Sequence, residues 1–305
     1  MSGKTITMSH AEIDRLSIIE STIHRHITQS AAAKQLKLSV RQVKRLVSNY
    51  QLEGPQGLVS KRRGKPSNNR IANSIRLEAL ALIRCRYSDF SPTFAHEKLT
   101  ECHQLSFSVE TLRRWMIDDS IWHPKRRKKI KTHPERPRRP RLGELVQIDG
   151  SPHDWFEGRS ASCTLIVFID DATGRLMSLR FSPTETTQAY MKALDTYLSH
   201  FGRPAALYSD KHSIFRVNHV DHESELTQFT RALKTLNIEP IHANTPQAKG
   251  RVERANKTLQ DRLVKEMRRN GINTIDEANR YLPIFMEDYN SRFCVPAHHP
   301  QDAHR

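Results

Sequence analysis

Apolar residues between positions 13 and 50 recur at three- and four-residue steps. Leu16, Ile19, Ile23 and Ile27 make one stripe of this kind, the pattern of a helix with one buried face. Thr28 or Gln29 then opens a short helix through Ala32 and Leu36, with a tight turn at Lys37-Leu38. Ser39 caps a second helix that turns Val40, Val43 and Leu46 inward and Arg41, Gln42, Lys44, Arg45 and Asn49 outward. This is a helix-turn-helix layout, whose second helix can enter a DNA major groove. A plain helical hairpin with a solvated basic face is the competing reading.

Residues 53–70 read as a basic loop, because Gly, Pro and Asn break the periodicity. A second helical unit is predicted over 71–121. It has helices at Ile75–Tyr87 and Pro92–His103, and a third within 106–119 that Ser108 caps and that buries Leu112, Trp115 and Met116. It resembles a second helix-turn-helix, with Arg113 and Arg114 placed to touch phosphates or to be plain surface residues. Residues 122–142 carry Pro124, Pro134, Pro137 and Pro140, which forbid a continuous helix. Lys125, Arg126, Arg127, Lys128 and Lys129 begin this linker, which reads as an extended basic tether along a phosphate backbone or as a solubilising spacer.

After residue 143 the pattern changes to strands at 145–150, 162–170 and 175–181, a helix at 188–202 and a strand at 206–210. A helix at 226–238, a strand at 239–244, a long helix at 248–271 and a last helix at 275–293 follow. Three leading strands followed by alternating helices and strands indicate an α/β domain over 143–305, a mixed central sheet flanked by helices.

Charge adds a partner to this outline. The first 140 residues hold 28 Lys and Arg against 12 Asp and Glu, and the remainder holds 21 of each. The whole net charge of +16 therefore sits in the helical half, where it fits a nucleic acid. No apolar face rich in Trp or Phe accompanies the basic runs, which argues against a membrane surface. Four widely spaced cysteines without a C-x-x-C pair give no disulfide or zinc scaffold, so a reducing cytosol fits. His96, Cys102 and His103 lack zinc spacing.

Three acids stand where acids are unexpected. Asp149 ends an apolar strand, Asp210 ends the strand ALYSD, and Glu253 lies on the long helix beside the inward-facing Val252, Ala255, Leu259 and Leu263. Rigidly held oxygen ligands suit Mg²⁺, and two such ions about 3.5–4 Å apart serve phosphodiester chemistry. Each acid also has a bland reading: a turn acid before Gly150, a cap or loop residue, and an i,i+4 partner of Lys257. Asp170 and Asp171 read as structural residues of a hairpin turn.

The segments QIDGSPHDWFEGR, LIVFIDDATGR, ALYSDKHSIFR, IHANTPQAKGRVERANKTLQDRL and EDYNSR resemble the integrase-type DDE core of insertion-sequence transposases, most nearly the ISNCY group. The resemblance implies an RNase H-like fold, a catalytic and metal-binding triad of Asp149, Asp210 and Glu253, and two Mg²⁺ ions with Mn²⁺ as a substitute. It also implies nicking at element ends, then strand transfer into target DNA by the freed 3′-hydroxyl. The partners implied are double-stranded DNA, as element ends and as target, and further copies of the chain on that DNA, with no membrane and no small-molecule substrate. The setting is the bacterial cytoplasm, at the nucleoid.

Forty-two residues separate Asp210 from Glu253, within the family's spread. Lys249, Arg251, Arg254 and Lys257 surround the acid and read as phosphate contacts or as a solvated helix face. Gln260 stands where relatives often carry a basic residue, and Lys211 and His212 follow Asp210 along the site. Relatives commonly continue into a small C-terminal β domain, so a truncated transposase is expected. A catalytically silent DNA-binding regulator is the alternative, and a nuclease of RNA–DNA hybrids the weaker third.

Overall fold

The computed structural model describes residues 6–65, 70–124, 137–210, 212–215, 226–242 and 250–305. The chain divides into two compact units, Met1–Pro124 and Lys125–Arg305.

The first unit contains two separate apolar clusters. One gathers α1 (His10–Ile23), α2 (Gln29–Leu36) and α3 (Val40–Glu53) around Ile19, Ala32, Val43, Leu46 and Leu58. Thr28 and Ser39 cap α2 and α3 by accepting from backbone N–H groups three residues on, and Lys37 takes the left-handed conformation (φ 54°) between the two helices. The turn therefore lies where periodicity and caps put it. Residues Gly54–Leu58, expected as loop, form a 3₁₀ turn that drives Leu58 into this cluster. Gly57 permits the approach, since a Cβ there would lie 2.3 Å from the Asn49 carbonyl oxygen.

Glu12 fastens the same unit. Its carboxylate, 5% exposed, closes a capping box on Ser9 and accepts from Ser60 N–H and the Arg63 guanidinium. The backbone bonds from Ser9 and Ser60 are the main cause that holds its pKa down at about 2. The second cluster packs α4 (Asn73–Arg86), α5 (Pro92–His103) and α6 (Val109–Asp118) around Ile83, Phe90, Phe94, Leu99, Leu112 and Met116.

The second unit is a five-stranded sheet: β1 (Leu145–His153), β2 (Cys163–Asp170), β3 (Leu176–Ser182), β4 (Ala206–Ser209) and β5 (Glu239–His242). The spatial order is β3-β2-β1-β4-β5, with β1, β2 and β3 antiparallel and β4 and β5 continuing parallel to β1. Helices α7 (Thr187–Phe201) and α8 (Gln228–Thr235) cover one face over Val146, Ile148, Ile166, Phe168, Leu207 and Phe229. Helices α9 (Gly250–Arg269) and α10 (Ile275–Phe293) cover the other over Leu165, Val167, Leu176, Phe181, Leu259 and Leu282. β2, buried along its whole length, reads as an unbroken apolar run because both of its faces are covered. This is the mixed sheet between helices that an RNase H-like fold requires.

β1 extends three residues beyond its expected end at Gly150. It tolerates Pro152 because β4 pairs with it only as far as Gln147, which leaves one side of the later residues without a ladder partner from β4. The far edge of the sheet, β3, meets two side-chain amides from α10. Asn290 Oδ1 and Nδ2 bond Leu176 N–H and C=O at 2.8 and 3.0 Å, and Asn279 does the same to Phe181 at 2.8 and 3.1 Å.

Candidate active site

The parallel pairing of β1 with β4 sets Gln147 against Tyr208. Asp149 and Asp210 each lie two residues beyond that last paired position, Asp210 just past the end of β4. Both carboxylates act on the Tyr190 phenol. Burial first, then Glu185, Asp149 and Asp210, push that phenol far above its ordinary range. Tyr190 donates to Glu185 at 2.8 Å, and the Glu185 carboxyl lies over Gly150, where a Cβ would stand 2.6 Å from its carbon. Asp210 Oδ1 accepts from the His212 N–H at 3.0 Å, which turns the chain sharply as it leaves β4.

Helix α9 is fastened to β1 at three successive levels. Val252 N–H donates to Gln147 Oε1 at 3.2 Å, Asn256 Nδ2 to Asp149 Oδ2 at 2.9 Å, and Gln260 Nε2 to Ser151 Oγ at 3.0 Å. Glu253 is exposed and lies one turn before Asn256, on the helical side it shares with Asn256 and Gln260. The structure thus sets Asp149 and Asp210 past the same end of the β1–β4 pairing, both within electrostatic reach of Tyr190, and places Glu253 on the adjoining helix. Among the described residues no three His, Cys, Asp or Glu side chains are close enough to form a metal cluster, so the three carboxylates are not drawn up as a closed ligand set.

The donors suit a hard divalent cation nevertheless. They are all oxygens, and Asn256 Oδ1, buried beside Asp149, has no hydrogen-bond partner among the described residues. Sequence reasoning passed over Asn256, Gln147, Glu185 and Tyr190. The available signal for Asn256 was its spacing of three from Glu253. For Gln147 it was a polar residue two before Asp149 in an apolar strand.

The expected DNA contacts divide. Arg41, Lys44 and Arg45 are exposed on α3 and Gln42 is half-buried, as a recognition helix needs. Arg113 and Arg114 are on α6, and both pair with Glu110, at 2.5 and 3.5 Å. Lys257 is exposed on α9, and Arg254 Nε donates to the Gly250 carbonyl. Arg251 departs from expectation. Its Nε bonds the fully buried Asp171 at 2.7 Å and its side chain is 14% exposed, so it is an internal ion pair rather than an open phosphate contact. Gln260, expected on the DNA side, spends its amide on Ser151. Lys125, Arg126, Arg127, Lys128, Lys129, Lys211 and Lys249 lie outside the described residues. No helix among the described residues is long and apolar enough to cross a membrane.

Comparison with known proteins gives the setting. Residues 14–67 match the family model of a helix-turn-helix domain. Over 302 residues the chain is 48% identical to the transposase-family protein y4bF of Sinorhizobium fredii, an alignment that covers 98% of this chain and 66% of that protein. It is 30% identical over 320 residues to the transposase for insertion sequence IS1202 of Streptococcus pneumoniae, with 92% of this chain and 68% of that protein covered. The chain therefore spans about two thirds of the length of these relatives.

Among solved structures it is similar to a chain of the simian T-cell lymphotropic virus intasome in complex with PP2A regulatory subunit B56 gamma. That likeness has 21% identity, a TM-score of 0.41, and coverage of 70% of this chain and 72% of that one. It is also similar to the HTLV-2 integrase catalytic core domain in complex with magnesium, at 16% identity, a TM-score of 0.38, and coverage of 54% of this chain and 98% of that one. With a relative at 30% identity matched over two thirds of its length, the chain belongs to the insertion-sequence transposases.

Proposed function

We propose that the protein is a metal-dependent DNA transposase that cleaves at the ends of its insertion sequence and joins them to target DNA. The observation that carries this reading is that Asp149 and Asp210 both lie just beyond the β1–β4 pairing and both act on Tyr190, with the Asn256 amide bonded to the first. Asp149, Asp210 and Glu253 would hold Mg²⁺, or Mn²⁺ in its place, as two ions. A metal held there would supply a lowered pKa for an attacking water and charge stabilisation for the leaving oxygen.

The residues of the chain prepare that chemistry. β1 carries Asp149, the end of β4 leads into Asp210, and Asn256 orients one oxygen of Asp149. Helix α9 presents Glu253 together with the exposed Lys257 toward a DNA backbone. Arg41, Gln42, Lys44 and Arg45 of α3, and Arg113 and Arg114 of α6, engage element DNA, and the cations Lys125, Arg126, Arg127, Lys128 and Lys129 neutralise its phosphates. Copies of the chain assemble on the DNA, in the bacterial cytoplasm.

The test is cleavage and strand transfer with oligonucleotides copied from the DNA flanking the gene. Asp149→Asn, Asp210→Asn and Glu253→Gln each reduce activity by about 100-fold or more while DNA affinity persists. Normal activity in any one of them removes that residue from the triad. DNA binding with no metal-dependent nicking in the unaltered protein leaves only a regulator.

A further inference from the structure

Asp171 is wholly buried, yet it bonds groups from three separate parts of the second unit. Its Oδ1 accepts from Arg251 Nε of α9 at 2.7 Å and from Gln147 Nε2 of β1 at 2.8 Å. Its Oδ2 accepts from the Arg139 backbone N–H at 2.9 Å. Gln147, also fully buried, turns its remaining oxygen to Val252 N–H. The first turn of a helix has N–H groups with no partner inside the helix, and a side chain from a neighbouring strand here satisfies one of them.

Glu253 is the next residue after Val252. Helix ends open more readily than helix centres, so the group that decides where Glu253 stands is whatever fixes this first turn. The levels at Asn256 and Gln260 hold α9 only on the C-terminal side of Glu253. The assembly of Asp171, Gln147 and Arg251 holds it on the other.

We infer that Asp171, acting through Arg251 and Gln147, is a positioning residue for Glu253: it fixes the first turn of α9 so that the third carboxylate can meet the Asp149–Asp210 pair. The inference rests on the active-site reading above. Asp171 is wholly buried and acts through its neighbours, and Arg251 is an internal strut of this assembly.

The experiment uses the full chain. Removing Arg251 alone would leave Asp171 as a buried charge without its ion-pair partner, so the main variant is the neutral pair Asp171→Asn/Arg251→Met. The second is Gln147→Leu, which releases Val252 N–H and keeps the ion pair. Three quantities are read: melting temperature, affinity for element-end DNA without divalent metal, and Mn²⁺ binding by calorimetry beside the Mg²⁺ dependence of strand transfer.

The expected result is metal affinity weakened by about 10- to 100-fold, with DNA affinity unchanged and the rate at saturating Mg²⁺ near that of the unaltered protein. The single variant Arg251→Lys, which keeps a cation opposite Asp171, loses less than the neutral pair. A folded variant with unchanged Mn²⁺ binding and Mg²⁺ dependence overturns the inference. So does loss of melting temperature, DNA affinity and activity together in both variants, which would make the assembly merely structural. The active-site reading fails separately, if Asp149→Asn remains active; an inactive Asp149→Asn beside unaffected Asp171 and Gln147 variants refutes only the positioning role.

Discussion

Asn256 donates its amide to Asp149 across the gap between α9 and β1, at 2.9 Å, and keeps its own carbonyl oxygen buried and without a partner among the described residues. The same side chain therefore orients one carboxylate and offers a second hard oxygen beside it. Asn256→Ala removes both and is expected to weaken metal affinity by about 10-fold or more, as loss of a ligand-orienting hydrogen bond does. Asn256→Asp places a second negative group against Asp149, where like charge raises a carboxyl pKa. The acid limb of the pH–rate profile for strand transfer then moves to higher pH. An unmoved profile would separate Asn256 from the site.

Glu12 predicts a pH dependence of stability. A carboxylate with its folded pKa lowered from 4.5 to about 2 stabilises the fold fully above the unfolded value. That contribution is lost as pH falls from about 4.5 to 2. Thermal melts of the protein and of Glu12→Gln should differ most near neutral pH and converge toward pH 2. A constant gap across this range would contradict the assignment.

Gly57→Ala tests the 3₁₀ turn that seats Leu58. The new Cβ would collide with backbone at Asn49 rather than with a movable side chain, so the turn must shift off α3. A loss of about 1–3 kcal/mol is expected by denaturant unfolding, of the kind seen when a packed contact is overfilled. DNA binding at low temperature should survive.

On α3, Arg41→Gln and Arg45→Gln should each weaken DNA binding and lower the salt slope of the binding constant by about 1, if each neutralises one phosphate. The neutral pair Asp171→Asn/Arg251→Met should leave that slope unchanged, because the Arg251 charge is already engaged with Asp171. Binding isotherms at several salt concentrations give both answers.

The helices were legible because their signals are local. Thr28, Ser39 and Ser108 each cap the helix their position announces, and the apolar stripes of α1 and α3 need only the helical period to be read. Asp149 and Asp210 stood out too, since an acid in or just after an apolar strand is conspicuous. The true extent of β1 was hidden, because Gly150 and Pro152 carry turn signals that only the shortness of β4 makes harmless. Arg251 misled for a related reason. A cation beside an acid on a helix looks the same whether it faces phosphate or a buried carboxylate, and the difference lies 80 residues away at Asp171. Asn256 and Gln147 acquire their roles only when α9 lies along β1, a tertiary fact that no local spacing encodes.

The amides of Asn279 and Asn290 have a consequence for how copies of this protein behave at high concentration. A bare outer strand templates addition of a strand from another chain, and high local concentration aggravates that hazard. Each asparagine imitates a passing peptide group, giving and taking one bond at Leu176 and at Phe181, so two backbone positions of β3 are already occupied. An intruding strand would have to evict both plugs before it could zip along this rim.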